Sequence, residues 1–303
     1  MIWDITTDTQ PKPGCVLWLC GLSDDINSPM QFTGTAKYYV SPELAQIVDM
    51  ALALEKPLLL TGEPGTGKTQ LAFAIAESLG LGMEILRAKS TFRGEEACYT
   101  QDTVLRLNDS RFPDAASGRN VQNFYDYIIW GPIGRAFRAT ERKVLLLDEI
   151  DKTESDVQDN LLDVLEDSEF TIRETNSIIK AVHPPVIIIT SNAKRELSDP
   201  FLRRCFCHHI SFPAIDEMRE ILRLHFPEFS GPVVDTALRV FYELRARGFE
   251  KAPATSELIQ WLSAIRHKNL SAEDIEKIPL SGILLKRTAD ILEFRGSQRG
   301  ANS

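Results

Sequence analysis

The string Gly62-Glu63-Pro64-Gly65-Thr66-Gly67-Lys68-Thr69 constrains this chain more than any other segment, because an apolar run precedes it and a helical pattern follows. Leu58-Leu59-Leu60 reads as a buried strand, and Leu71, Ile75 and Leu79 recur on one helical face before Gly80 stops the helix. A glycine-rich turn at such a junction lets successive backbone N–H groups curl around an anion at the positive end of the helix. In that arrangement Lys68 neutralises β- and γ-phosphate oxygens and the Thr69 hydroxyl ligates Mg²⁺. The pattern predicts a nucleoside triphosphate site, with ATP and Mg²⁺ as its ligands. A glycine-rich turn without a ligand is the competing reading, and the correctly placed strand and helix argue against it.

Further signals stand at the ends of other β-rich runs. Val144-Leu145-Leu146-Leu147-Asp148-Glu149 places two carboxylates at the C-terminal edge of a buried strand, where open α/β sheets bind ligands. Asp148 is expected to hold Mg²⁺ through water and Glu149 to polarise the water that attacks the γ-phosphorus. Alone the pair could be an acidic turn, since Asp151 and Glu154 follow; the phosphate loop tips the reading towards chemistry. Val186-Ile187-Ile188-Ile189-Thr190-Ser191-Asn192 ends a strand in an amide that can bridge attacking water and γ-phosphate, although asparagine also favours turns on its own account. Leu202-Arg203-Arg204-Cys205 offers two arginines suited to a phosphate, or equally a solvated surface pair.

The chain from 37 to 213 alternates β-rich and helical stretches, with strands expected at 57–61, 84–87, 144–147, 186–190 and 207–212. Runs such as Ile187-Ile188-Ile189 lack polar alternation, which predicts strands buried on both faces. Residues 1–36, with Pro11, Pro13 and Pro29, read as an extended lead-in, and residues 214–303 as a separate helical domain. Ser271-Ala272-Glu273-Asp274 resembles a capping box. The expected fold class is therefore α/β: a parallel-sheet phosphate-loop core with a C-terminal all-helical lid.

Charge bears on partners. With 34 Lys plus Arg against 43 Asp plus Glu and a formal net charge of −9, the overall field repels nucleic acid and anionic membrane. No apolar run approaches the about 18 residues of a membrane span, and Met1-Ile2-Trp3-Asp4 lacks a basic signal-peptide start, so a cytoplasmic location is expected. Cys205-Phe206-Cys207-His208-His209 has possible metal-ligand spacing but reads as two thiols on one face of a short strand, and no metal is expected there.

The phosphate loop, the Asp148-Glu149 pair, Asn192 and the paired arginines, in this order and followed by helices, resemble an AAA+ ATPase over residues 37–290. Within that superfamily the sequence is similar to the MoxR group, especially its CoxD-like branch, which matures carbon monoxide dehydrogenase. Tyr38-Tyr39-Val40-Ser41-Pro42-Glu43-Leu44, Trp130-Gly131-Pro132-Ile133-Gly134-Arg135-Ala136-Phe137, Asp148-Glu149-Ile150-Asp151-Lys152, Phe201-Leu202-Arg203-Arg204-Cys205 and Thr255-Ser256-Glu257-Leu258 carry that likeness. The resemblance implies a homo-oligomeric ring, usually of six subunits, with Arg204 or alternatively Arg203 as the arginine finger acting on a neighbour. It implies a helical insert within 92–140 and a β-hairpin of 170–173 with 178–181. It also implies a chaperone-like remodeller of a protein client, often one with a von Willebrand factor A domain; a nucleic-acid motor is the alternative. One departure stands out: where many relatives place a γ-phosphate-sensing lid arginine, this chain has Glu257, expected to turn away and serve the helix N-terminus. No Asn-Lys-x-Asp guanine-reading motif occurs, which opposes a GTP switch.

Overall fold

The structure is a computed structural model, and it describes residues 31–301 apart from 92, 113–117 and 230. The expected lead-in thus lies, up to residue 30, outside the described residues. Helix α1 (Pro42–Ala53) precedes β1 (Leu58–Gly62), α2 (Lys68–Leu79) and β2 (Gly82–Arg87). An insert follows, made of α3 (Gly94–Cys98), β3 (Tyr99–Gln101), α4 (Thr103–Arg111), β4 (Ile128–Trp130) and α5 (Pro132–Arg138). The chain continues through β5 (Lys143–Asp148), α6 (Ser155–Asp167), the hairpin β6 (Glu169–Ile172) and β7 (Ser177–Lys180), β8 (Val186–Ser191), α7 (Asp199–Arg204) and β9 (Phe206–Ile210). Helices α8 (Ile215–His225), α9 (Gly231–Ala246), α10 (Thr255–His267), α11 (Ala272–Glu276) and α12 (Thr288–Ala301) complete it.

Five strands form one sheet in the order β2-β5-β8-β1-β9. All four pairings are parallel, so each strand must be reached by a crossover that lays helices on the sheet. The apolar runs explain why both faces are covered. Leu58, Leu60, Val144, Leu146, Val186 and Ile188 pack with α1 and α2, whereas Leu59, Leu145, Leu147, Ile187 and Ile189 pack with α5, α6 and α7. The C-terminal helices bury a separate cluster around Trp261, Phe241 and Met218, where the indole N–H of Trp261 donates to the Pro279 carbonyl at 2.6 Å.

Several local expectations shift by a residue or two for identifiable reasons. Phe32, assigned to the lead-in, is buried against α1, and its N–H donates to Asp49 Oδ1 at 2.8 Å. Each strand of the hairpin begins and ends one residue early, and past the end of β6 the Arg173 amide donates to the Tyr99 hydroxyl at 2.9 Å. Strand β9 stops at Ile210, and Phe212 instead stacks on Phe241 in the C-terminal helices. Cys205 lies one residue before β9 and is buried, while Cys207 on the strand is exposed. The Ser271 hydroxyl accepts from the Asp274 amide at 3.3 Å and opens α11.

Candidate functional site

The site grows from the end of β1. Gly62 has φ +147, and a Cβ there would stand 2.3 Å from the Ile210 carbonyl oxygen, so only glycine lets β1 turn beside β9. The loop then passes Gly65, also at positive φ, where a Cβ would stand 2.6 Å from Ala254 Cβ at the start of α10. Helix α2 begins at Lys68, with Gly67 as its N-cap and no side chain capping it, so its first N–H groups carry their partial charge to the loop.

Lys68 is only 6% exposed. Its Nζ donates to the Gly62 and Glu63 carbonyls, both at 2.8 Å, and the Thr66 hydroxyl donates to the Glu63 carbonyl at 2.9 Å. Burial holds the lysine below its usual range, while Asp151, Asp148, Glu149 and Glu63 pull it back up. The buried cation is thus held by carbonyls and by the field of four carboxylates, so its charge is compensated in this structure.

The carboxylates come from the ends of β5 and β8. Asp148 Oδ1 accepts from the Thr69 hydroxyl at 2.9 Å and from the Thr190 hydroxyl at 2.7 Å. Glu149 sits at φ +58, an uncommon conformation for a non-glycine residue, and its N–H donates to Thr190 Oγ1 at 2.9 Å. Its Oε1 accepts from Asn192 Nδ2 at 3.1 Å, and its Oε2 pairs with the Lys152 ammonium. That Glu149 bond raises the Lys152 pKa. The buried Asp151 carboxylate accepts from the Asn192 and Lys194 amides, both at 3.2 Å, and so orients the loop after β8. Thr69, Asp148, Glu149 and Asn192 are thereby linked, although they lie on three different elements.

A cleft of about 630 Å³ opens over this cluster. Pro64 to Thr69, Asp148, Glu149, Thr190 and Asn192 line one side, with Lys37, Tyr38 and Tyr39; Ile221, His225, Thr255, Ser256, Ile259 and Gln260 line the other. Gly62 and Glu63, the first two residues of the loop, do not line the cleft and present their carbonyls to Lys68. Burial raises the Tyr38 phenol and lowers His225, so both are neutral beside the cleft at neutral pH. The Thr255 hydroxyl is buried at this wall without a hydrogen-bond partner among the described residues. Such a mixed wall, with Ile221 and Ile259 among polar groups on the helical side and Lys68 in the loop, fits a planar base joined to phosphates. Hard oxygen donors at Thr69 and Asp148 also suit Mg²⁺ rather than a softer ion.

Arg203 and Arg204 do not line this cleft. Arg204 is held by Asp163 at 2.7 Å and Glu166 at 3.1 Å on α6, while Arg203 is exposed with no ion pair among the described residues. Glu257 accepts from the Ala254 amide at 3.1 Å and the Ser256 hydroxyl at 3.0 Å, and pairs with Lys251 at 3.3 Å. It therefore serves the start of α10. Among the described residues, no lysine or arginine of α8 to α12 lines the cleft. Thr190 and Lys152 are both bonded to the carboxylate pair, a role the sequence does not assign them: a threonine in an apolar strand reads as β-branched filler, and Lys152, though within a segment that carries the family likeness, reads as surface after three acids.

Residues 57–205 match the AAA domain of the dynein-related subfamily. Chaperone protein ClpB of Lactococcus lactis subsp. cremoris is 30% identical over 186 residues, which cover 59% of this chain and 19% of ClpB. Replication factor C small subunit 1 of Pyrobaculum aerophilum is 27% identical over 239 residues, covering 78% of this chain and 59% of that one. Uncharacterized protein YehL of Escherichia coli is 26% identical over 236 residues, covering 71% of this chain and 61% of YehL. The chain thus spans about a fifth of the length of ClpB. No helix among the described residues is long and apolar enough to cross a membrane.

Proposed function

We propose that the AAA domain this chain carries at residues 57–205 binds ATP in the cleft and hydrolyses it to ADP and phosphate. The observation that supports this most is the linked set Thr69, Asp148, Glu149 and Asn192, gathered from separate elements beside the Lys68 loop. Lys68 would exchange the Gly62 and Glu63 carbonyls for phosphate oxygens. Glu149 would take a proton from the water that adds to the γ-phosphorus as the bond to the β-bridging oxygen breaks. Asn192, already donating to Glu149, would hold that water in line. Bound Mg²⁺, held by Thr69 and by Asp148 through water, would supply charge neutralisation on the β- and γ-phosphates.

The biological reading is a cytoplasmic ring, of six copies in its fullest form, that remodels or matures a protein client. Likeness to a chaperone protein and the acidic net charge favour this, and the MoxR-like motifs point to a client with a von Willebrand factor A domain. Likeness to a replication factor C subunit favours the second reading, a nucleic-acid loader or motor, which the −9 charge opposes. A Glu149→Gln protein tests both levels, because glutamine keeps the amide-sized group but accepts no proton. It should retain ATP uncleaved and hold its client. Normal turnover would refute Glu149 as the base, and stimulation of the parent by DNA instead of by the retained protein would favour the loader.

A further inference from the structure

Among the described residues the lid side of the cleft contributes no cation, yet Arg245 of α9 reaches Glu63 of the phosphate loop, which does not line the cleft. Arg245, near the end of α9, lies with its guanidinium 3.4 Å from the centre of the Phe212 ring, at the junction between β9 and the C-terminal helices. One of its nitrogens donates to the Pro253 carbonyl at 2.6 Å, and another to Glu63 Oε2 at 3.0 Å. A single side chain thus touches the junction, the turn that opens α10 and the second residue of the loop. The same turn lies close against the loop, since a Cβ at Gly65 would stand 2.6 Å from Ala254 Cβ.

We propose that the Arg245–Glu63 pair couples the position of the C-terminal helices to the state of the phosphate loop, in place of a lid arginine on the γ-phosphate. This rests on the nucleotide-site reading above and adds a positioning residue to it. Glu63 is joined to the cleft through its backbone, since its carbonyl accepts from both Lys68 Nζ and Thr66 Oγ1. When Lys68 turns to a phosphate, that carbonyl keeps the Thr66 hydroxyl but loses one of its two donors, which loosens the hold on the Glu63 peptide. Arg245 is fixed at its own end by the Phe212 face and the Pro253 carbonyl, so movement of Glu63 is passed to the turn at Pro253 and Ala254 and not lost in side-chain motion. The pair itself adds little stability: Arg245 is 17% exposed, but Glu63 is 59% exposed and the ion pair is screened. Coupling is the quantity to read, not melting temperature.

The experiment measures hydrogen exchange at residues 62–69 and 253–258, with and without Mg²⁺ and a non-hydrolysable ATP analogue, alongside steady-state turnover. In the parent, the analogue should protect both segments. Arg245→Met should keep protection of the loop, lose that of the 253–258 turn, and lower kcat by about tenfold, within the usual range of coupling between sites. Glu63→Gln should do the same to the turn, and the double variant should be no worse than either single one. Arg245→Lys keeps a charge but lacks the fork, and should recover only part of the effect. If the parent loop gains no protection, the nucleotide reading fails. If the loop is protected and the turn responds equally in the parent and in both single variants, the coupling is refuted. Should Arg245→Met not fold, Glu63→Gln, whose side chain is exposed, tests the same contact.

Discussion

Replacing Thr190 by valine removes one hydroxyl from the centre of the site and leaves the shape of β8 almost unchanged. Threonine and valine share β-branching, and the position is 1% exposed, so the strand should keep its conformation. Two bonds are lost: the donor to Asp148 Oδ1 at 2.7 Å, and the acceptor for the Glu149 amide at 2.9 Å. A hydrogen bond to a charged group contributes about 1.5–3 kcal/mol, and an orphaned buried N–H costs about 1–3 kcal/mol. Thr69 still donates to Asp148, so we expect a net loss of about 2–4 kcal/mol in denaturant unfolding. The Glu149 backbone, no longer tied at φ +58, should relax and move its carboxylate. Phosphate release should then fall about ten- to hundredfold in kcat, equivalent to about 1.4–2.7 kcal/mol of barrier. ATP binding without Mg²⁺, which draws on Lys68 and the loop, should persist, and the Mg²⁺ concentration for half-maximal rate should rise. Thr190→Ser should restore both stability and rate. A Thr190→Val protein with parental stability and parental kcat would refute the reasoning that this hydroxyl organises the carboxylate pair.

Lys68→Ala should weaken ATP binding and abolish turnover, since the β- and γ-phosphates lose their buried cation; an isothermal titration matching the parent would count against the loop assignment. If Arg204 acts on a neighbouring copy, Arg204→Ala protein mixed with Lys68→Ala protein should recover activity through mixed interfaces, because a trans arginine contributes on the order of 10³-fold or more in rate. The same mixture made with Arg203→Ala decides between the two arginines, and no recovery in either, despite co-assembly seen by mass spectrometry, would remove the finger from this segment. Burial pushes the Glu257 carboxyl up, but Ser256, Lys251 and backbone donors outweigh it and hold the group below the usual carboxylate range. Its contribution is therefore present above the unfolded value and lost as pH falls through the folded one, so Glu257→Ala should cost about 1 kcal/mol near neutral pH and flatten the acid side of the stability curve. Hydrolysis should stay near the parental rate; a drop of a hundredfold would mean that Glu257 serves the cleft as well as the helix.

The parts of this protein legible in its sequence are those written contiguously or at a fixed period. The phosphate loop is spelled by adjacent residues, and β1, β5 and β8 announce themselves by unbroken apolar runs. The carboxylate pair and Asn192 were readable because each directly follows such a run. The role of Glu257 at its helix start is legible because the partner, the Ala254 amide, lies only three residues back. What stayed hidden depends on separation. Glu63 and Arg245 are 182 positions apart and are bridged only after the C-terminal helices dock. The clasp of Arg204 by Asp163 and Glu166 likewise needs α6 beside α7. The end of β6 depends on separation too, since the Arg173 amide, which β-propensity assigns to the ladder, donates to a tyrosine hydroxyl 74 positions away in the insert.

The central strands are apolar on both faces, which has a consequence for how the sheet finds its alignment. In a strand with one wet face, sliding by one residue buries polar groups and is rejected at once. For β1, β5 and β8 the same slide exchanges Leu for Leu or Ile for Ile, so the interior discriminates only by side-chain volume. The discriminating groups stand where the runs end: Thr190, paired across from Leu60, bonds to Asp148 at the end of β5, and Thr69 at the start of α2 bonds to the same oxygen. The residues at the cleft are thus also the alignment marks of the sheet. A chain that has paired its strands out of step cannot close these bonds, and one that has closed them has built its site in the act of folding.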